Sequence, residues 1–311
     1  MNTESNAVPE SPRDPQATES QVSLSAVIPE SRRLCWSVRR ELWENRSIYI
    51  APLAVAGVTL FGFVIATFGR ALAVSDLAQR RAVLEEPYTF AALLIMATTL
   101  VVAVIYCLDA LHGERRDRSI LFWKSLPVSD LTTVLSKASI PLVVLPLLTF
   151  GIIVAMQVIM VLLSSVVMLA SGLSPAELWA QLSLFQMSML LYHLVVVHGL
   201  YYAPIYAWLL LVSGWARRAP FLWAGLPLLA IGLVEKIAFN TSHFAAMLES
   251  RIAGGGEAVP FPMAGNAAMH HELTLLTLGR FLISPGMWIG LAVAAAFLTG
   301  SVRLRRYQGP I

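Results

Sequence analysis

The sequence predicts an all-α integral membrane protein of six transmembrane helices with both termini in the cytoplasm. Three observations predict it. Of the 311 residues, 57% are hydrophobic and only 13% are charged, against about 25% charged in a soluble domain. Six runs reach the roughly 20 apolar residues that an α-helix needs to cross a hydrocarbon core. The basic residues gather on alternate loops, as the positive-inside rule requires. A formal net charge of +3 is too small to suggest a nucleic-acid partner.

Residues 1–31 are rich in Ser, Pro, Glu and Thr and carry one basic residue, Arg13, against five acidic ones. Such a segment buries too little apolar area to offset its ordering entropy, so it is expected to be disordered. It has no basic stretch followed by an apolar core, so it does not read as a signal peptide, and the first span is expected to direct insertion. Residues 32–47, "RRLCWSVRRELWENRS", follow as an amphipathic helix. Leu34, Val38 and Leu42 recur at four-residue spacing, while Arg32, Arg33, Arg39 and Arg40 fall largely elsewhere on the wheel. The pattern suits a helix lying on the membrane surface.

The membrane-spanning body is expected to run over 48–306. Its spans are 48–68, 89–111, 139–170, 184–213, 220–239 and 281–302. The third and fourth exceed the minimum length and are expected to tilt or kink, with Pro141, Pro146 and Pro204 as the places to do so. With the N-terminus inside, 16 Lys and Arg residues fall on the cytoplasmic side and five on the outer side, Lys236 lying within a span. The inner loop 112–138 is compact and charged. On the outer face, residues 69–88 have room for a short helix, and 240–280 form a loop whose "AGGGEAVPFPMAGNAAMHHE" stretch is rich in Gly and Pro. Multi-pass insertion in a plasma membrane, of the bacterial inner-membrane kind, is the expected location.

Several chemistries are poorly supported. A P-loop places a lysine directly after a glycine so that backbone amides cradle phosphates. The three lysines, Lys124, Lys137 and Lys236, follow Trp, Ser and Glu. Any ATP-driven work therefore needs an ATPase on another chain. His271-Glu272 begins a zinc-protease pattern, but position 275 is Leu; His243, His270 and His271 read as scattered rather than as a metal site. Cys35 and Cys107 define no disulfide framework.

Within the spans, His198, Tyr201, Tyr202 and Tyr206 stand at offsets 0, 3, 4 and 8, one face of a helix. They read either as the lining of a translocation path or as helix–helix packing by tyrosines. Glu235 and Lys236 lie near the outer end of the fifth span. Neighbours in sequence do not face each other on a helix, so each needs another partner or must snorkel; a role in gating or cargo contact is the sharper alternative. Gly286 and Gly290 form a GxxxG that lets another element approach closely.

The inner loop reads as an elbow. Ser119 is placed to cap a short helix holding Ile120, Leu121, Phe122 and Trp123, and Pro127 ends it. Ser129 is placed to cap the helix that enters the third span, with Leu131, Val134, Leu135 and Ala138 at helical spacing. Topology explains its arginines. It does not explain Glu114, Asp117 and Asp130 mixed among them around an aromatic knuckle, which is the make-up of a protein-binding surface.

"ERRDRSILFWKSLPVSD" at 114–130 resembles the first cytoplasmic loop of permease subunits in the ABC-2 type transporter family. The similarity extends over about 33–306 and takes in the amphipathic N-terminal helix, "GWARRAP" at 214–220 and "EKIAFNTSHF" at 235–244. The resemblance implies a permease subunit of an ATP-driven exporter, paired with a second permease copy (the same or a different chain) and with two ABC ATPase subunits. Those subunits, not this chain, would bind ATP and Mg. It implies that the loop docks on the ATPase: Phe122 and Trp123 anchor, and Glu114, Arg115, Arg116, Asp117, Arg118 and Lys124 set register, with Pro127 and Asp130 completing the surface. The residues beyond the loop leave two other readings in place: a membrane-embedded enzyme acting on lipid through His198 and the tyrosines, or a non-transporting anchor of a larger complex.

Overall fold

The computed structural model describes residues 29–71, 77–125, 128–170, 194–252 and 284–307, with single positions 176, 179, 191 and 309. Residues 1–28, Pro127, the first part of the fourth span, and residues 253–283 with His270 and His271 lie outside the described residues. Every regular element described is helical. In chain order they are α1 (Glu30–Glu44), α2 (Ser47–Ala71), α3 (Leu77–Asp109), α4 (His112–Arg116), α5 (Ser119–Ser125) and α6 (Asp130–Ser139). A π-helical turn, Ile140–Val144, leads into α7 (Leu145–Ala170). A second π-helical turn, Leu194–Tyr201, leads into α8 (Ala203–Trp215), then α9 (Pro220–Phe239), α10 (His243–Ile252) and α11 (Pro285–Tyr307).

Among these, five helices are long and apolar enough to cross a membrane: Ser47–Thr67, Phe90–Arg116, Asp130–Ala170, Pro220–Phe239 and Pro285–Tyr307. The pair Leu194–Tyr201 and Ala203–Trp215, bent by 40°, makes a sixth if taken as one broken span. Two elements differ from the sequence expectation. The helix that carries the second apolar run already starts at Leu77, so most of the segment expected as an outer loop with a short helix joins that long helix, while the membrane-length stretch itself begins at Phe90. The third run is continuous from Asp130, because Ser129 accepts a hydrogen bond from the Thr132 N–H (3.1 Å) and α6 feeds straight into α7.

The bends fall where proline removes a donor. Pro141 has no N–H to give and its ring crowds the preceding turn; the helix widens there into the π-helical turn Ile140–Val144. The second widened turn ends just before α8, whose second residue is Pro204. The two turns pack on each other. Gly199 permits it: a Cβ there would stand 2.6 Å from the Leu142 carbonyl oxygen.

The core falls into two clusters. One joins α2, α3 and α7 through Phe63, Ile95, Ile153 and Met160. The other joins α3, α8 and the Ile140–Val144 turn through Tyr106, Cys107, Ile140, Tyr206 and Leu210. Between the clusters Thr99 and Thr149 share a buried hydrogen bond of 2.9 Å. Helix α11 packs along α8, and α1 lies across α6. Helix α9 buries little of itself against the rest.

Candidate functional site

The site is built at the end of the bundle where α1, the 112–138 elbow and the last turns of α11 converge. Its foundation is the C-terminal end of α8. The last carbonyls of a helix have no intrahelical donors, and here the elbow supplies them. Arg115 donates to the Gly214 carbonyl through Nη1 (2.5 Å) and to the Gly309 carbonyl through Nε (3.2 Å). His112 Nδ1 is 3.2 Å from the Ala216 carbonyl. In return the buried Ser213 hydroxyl accepts from the Leu111 and His112 N–H groups (3.0 and 2.9 Å). The "GWARRAP" turn is thus the seat of α4, while its own Arg217 and Arg218 stay exposed.

Above that seat lies an ionic network. Glu114 faces three cations: Lys137 Nζ at 3.1 Å, Arg40 Nη2 at 3.6 Å, and Arg305 Nη1 in direct contact. Lys137 also bonds Glu41 (2.9 Å), and Arg40 reaches the same carboxylate (2.7 Å). Tyr106 donates its hydroxyl to the second oxygen of Glu41 (3.0 Å). Arg305 Nε completes the set on Asp130 (3.1 Å). Glu41, Glu114 and Asp130 thus face Arg40, Lys137 and Arg305, with Glu44 3.5 Å from Arg40 at the rim, and Glu41, Lys137 and Arg305 are buried. Burial alone would raise the Glu41 carboxyl, but Lys137 and Arg40 outweigh it and hold it below the ordinary glutamate range. Glu44, half exposed at the rim, moves the other way: burial raises it more than Arg40 lowers it.

A buried ion pair adds little net stability over an apolar pair, yet losing one partner costs about 3–5 kcal/mol. The network therefore acts on geometry. It fixes α1, α4, α6 and α11 in one register.

From this base α5 projects. Arg118 turns the chain through a left-handed conformation (φ 59°), and Ile120 roots the helix in the interior. Leu121 and Phe122 then stand 60% and 59% exposed. Arg116, Asp117, Arg118 and Lys124 surround them on the surface. Trp123 is half-buried: Phe122 meets it edge-on at 4.9 Å, and the Arg40 guanidinium lies 3.7 Å over its ring. Ser119 lies in the first turn of α5 and donates to the Glu114 carbonyl (3.4 Å) rather than capping it.

The expected contact residues therefore divide. Glu114, Arg115 and Asp130 face inward and Trp123 faces Arg40, while Arg116, Asp117, Arg118, Phe122 and Lys124 face out. Glu41, Lys137, Arg305, Tyr106 and Ser213 were not anticipated. A signal for the first two was present. Glu41 lies on the same helical face as Leu34 and Val38, and Lys137 between Val134 and Ala138. A charge on an apolar face needs a partner.

The second candidate set lies toward the other end. His198, Tyr202 and Tyr206 form a run of ring contacts at 5.5 and 6.3 Å, with Tyr201 at 6.2 Å from Tyr202. Their hydroxyls meet α10: Tyr202 donates to the Ile252 carbonyl (2.9 Å) and Tyr201 to that of Ser250 (3.4 Å). Arg251 donates to the carbonyls of Tyr201 (3.2 Å) and Gly286 (2.7 Å), and its guanidinium lies 4.3 Å over the Tyr201 ring. A Cβ at Gly290 would run into that guanidinium, so the GxxxG admits an arginine. Glu235 accepts from Thr241 Oγ1 (2.8 Å) and from the N–H groups of His243 (2.7 Å) and Phe244 (2.8 Å). It caps α10. Lys236 is exposed, and Cys35 and Cys107 are free thiols, the second buried.

Fold and site together define an all-helical protein with several helices of membrane-spanning length, whose one end presents an apolar knuckle on an ion-locked base. The chain matches no family model, no curated protein and no solved structure.

Proposed function

We propose that the chain is the multi-pass permease subunit of an ATP-driven exporter of the ABC-2 type, working in the plasma membrane with separate ATPase subunits. One observation carries the reading: the exposed Leu121–Phe122 knuckle stands on a base in which α1, the elbow, α6 and α11 are joined by charge pairs. A push on the knuckle is delivered to α3 and to α6–α7 together, since one membrane-length run, Phe90–Arg116, carries α3 into α4 and another, Asp130–Ala170, carries α6 into α7, while Arg115 ties α4 to α8 as well. That is the mechanical requirement of a subunit driven from outside itself. In this reading nucleotide chemistry belongs to the partner; no lysine of this chain directly follows a glycine, as a P-loop requires. In this reading the base faces the cytoplasm, and a second permease copy shares the assembly.

The docking surface is narrower than the whole loop. Phe122 and Leu121 anchor it, and Arg116, Asp117, Arg118 and Lys124 orient it. Glu114, Arg115 and Asp130 act from beneath, as positioning residues.

The test is Leu121→Ser with Phe122→Ala in the full chain, co-purified with ATPase subunits from its native membrane. Both side chains are exposed, so thermal stability should change by less than about 0.5 kcal/mol. ATPase capture and export should both fall at least tenfold, since anchors of this kind carry about 2 kcal/mol or more. Undiminished capture by the double variant removes the docking role, and failure of the wild type to bring down any ATPase removes the exporter reading.

A further inference from the structure

Helix α1 has two faces, and they are not the two expected. The apolar face that the spacing assigns to the membrane turns inward. Val38 and Leu42 pack on the core, Glu41 is fully buried, and Ile48 continues the same side into α2. The opposite face carries Arg32, Trp36, Arg39 and Trp43 at offsets 0, 4, 7 and 11, with Arg46 next in the same rhythm just beyond the helix end. All five are exposed, the two tryptophans by 58% and 66%. Arg39 lies 4.9 Å over the Trp43 ring. No carboxylate shares the stripe: Glu41 points inward and Glu44 pairs with Arg40 on the flank.

We infer that this arginine–tryptophan stripe binds anionic phospholipid headgroups. The inference rests on the membrane-spanning part of the reading above and needs nothing of the ATPase. Three features converge on that ligand. Only two residues, Asn45 and Arg46, separate α1 from α2, whose span begins at Ser47; α1 therefore stays at the membrane boundary. Tryptophan is the side chain that settles at headgroup level, with an apolar ring and one polar N–H. Arginine offers a planar fork that matches phosphate oxygens, and Arg39 holds its fork beside an indole already suited to that depth. A stripe of arginines alone would suit water as well as headgroups, and one of tryptophans alone would not tell an anionic headgroup from a neutral one. Alternation of the two suits the layer between. Over about 21 Å of helix, the stripe crosses several headgroups.

The experiment uses the full chain, delipidated in detergent and then offered phosphatidylglycerol or phosphatidylcholine, with bound lipid counted by native mass spectrometry. The wild type should retain phosphatidylglycerol in preference, and the preference should weaken as salt is raised from 50 to 500 mM, which shortens the Debye length from roughly 14 to roughly 4 Å. Replacing Arg32, Arg39 and Arg46 together by Ala should lower phosphatidylglycerol affinity on the order of a hundredfold, at about fivefold per basic residue, and leave phosphatidylcholine unchanged. The triple Arg→Lys variant should keep the preference within several-fold. Trp36→Ala with Trp43→Ala should weaken both lipids alike. A wild type that does not distinguish the two lipids overturns the inference, as does an Ala triple that keeps its preference or a preference indifferent to salt. If an acidic protein segment covered the stripe instead, neither lipid would be favoured, which is the first of those outcomes. A chain that selects phosphatidylglycerol but captures no ATPase keeps this inference and loses the exporter reading.

Discussion

At one end of the bundle three carboxylates face three cations; at the other, a single guanidinium rests on two peptide carbonyls and a tyrosine ring. Both ends fasten helices distant in sequence, but with different chemistry. The ionic end is directional and unforgiving, since Glu41, Lys137 and Arg305 are buried against partners they cannot exchange for water. The carbonyl end is neutral on one side and half-exposed, so its contacts part at lower cost. Between them the two π-helical turns meet at Gly199. Such an arrangement keeps the base as one body and leaves the far end the easier one to open, the division of labour that the proposed exporter would need.

The largest effect expected is at the base. Lys137→Met strands Glu41 and Glu114 beside Arg40 and Arg305, with one cation gone from a buried site. Stability should fall by about 3–5 kcal/mol, read as a large drop in the thermal midpoint of the purified chain. Adding Glu41→Gln to that variant should recover part of the loss, because the stranded charge goes with it. A loss below about 1 kcal/mol for Lys137→Met would erase the contrast between the ends.

Acid offers a graded version of the same break. The Glu41 carboxyl is held below its ordinary value of 4.5 by Lys137 and Arg40, against burial, with Tyr106 and Glu114 also facing the pair. Its contribution is complete above about pH 4.5 and is lost as pH falls through the depressed value. Glu44 opposes it weakly, being raised and half exposed. The midpoint of the wild type should therefore decline more steeply below pH 4.5 than that of Glu41→Gln, which has no proton to take up there. Parallel profiles would mean that Glu41 is not held in its charged form by the network.

Much of this plan is legible in the sequence, and what is not has a physical cause. The apolar runs reveal themselves because backbone polar groups in lipid must be satisfied within helices, which leaves long uninterrupted stretches. The Ser129 cap and the bend at Pro141 are local, so their residues suffice. The facing of α1 is not local. Leu34, Val38 and Leu42 mark an apolar face, but only the position of α6 tells whether that face meets lipid or protein. Glu114 and Arg115 read as surface charges because loops are usually surface. The burial of Glu114 depends on Arg305, 191 positions away, and that of Arg115 on the open end of α8. Gly286 and Gly290 announced a close approach without saying that Arg251 would make it.

The smallest expected effect lies at the far end. Glu235 caps the start of α10 through His243 and Phe244, and Arg251 pins its finish to Tyr201 and Gly286. Arg251→Ala removes one pin and leaves the other. The lost contacts, two hydrogen bonds to carbonyls and a ring contact, are half-exposed and contribute about 1–2 kcal/mol in all. The opening they restrain is local, so global stability is the wrong readout. Amide hydrogen exchange should rise about five- to thirtyfold over residues 248–252 and fade toward the Glu235 cap, with the amides of α4 and α6 unchanged. Gly290→Ala should mimic the change in part, since its methyl group takes the space the guanidinium occupies. If the base exchanged faster as well, the two ends would be one cooperative unit, and a bundle that opens at the far end while its base holds register would lose its footing.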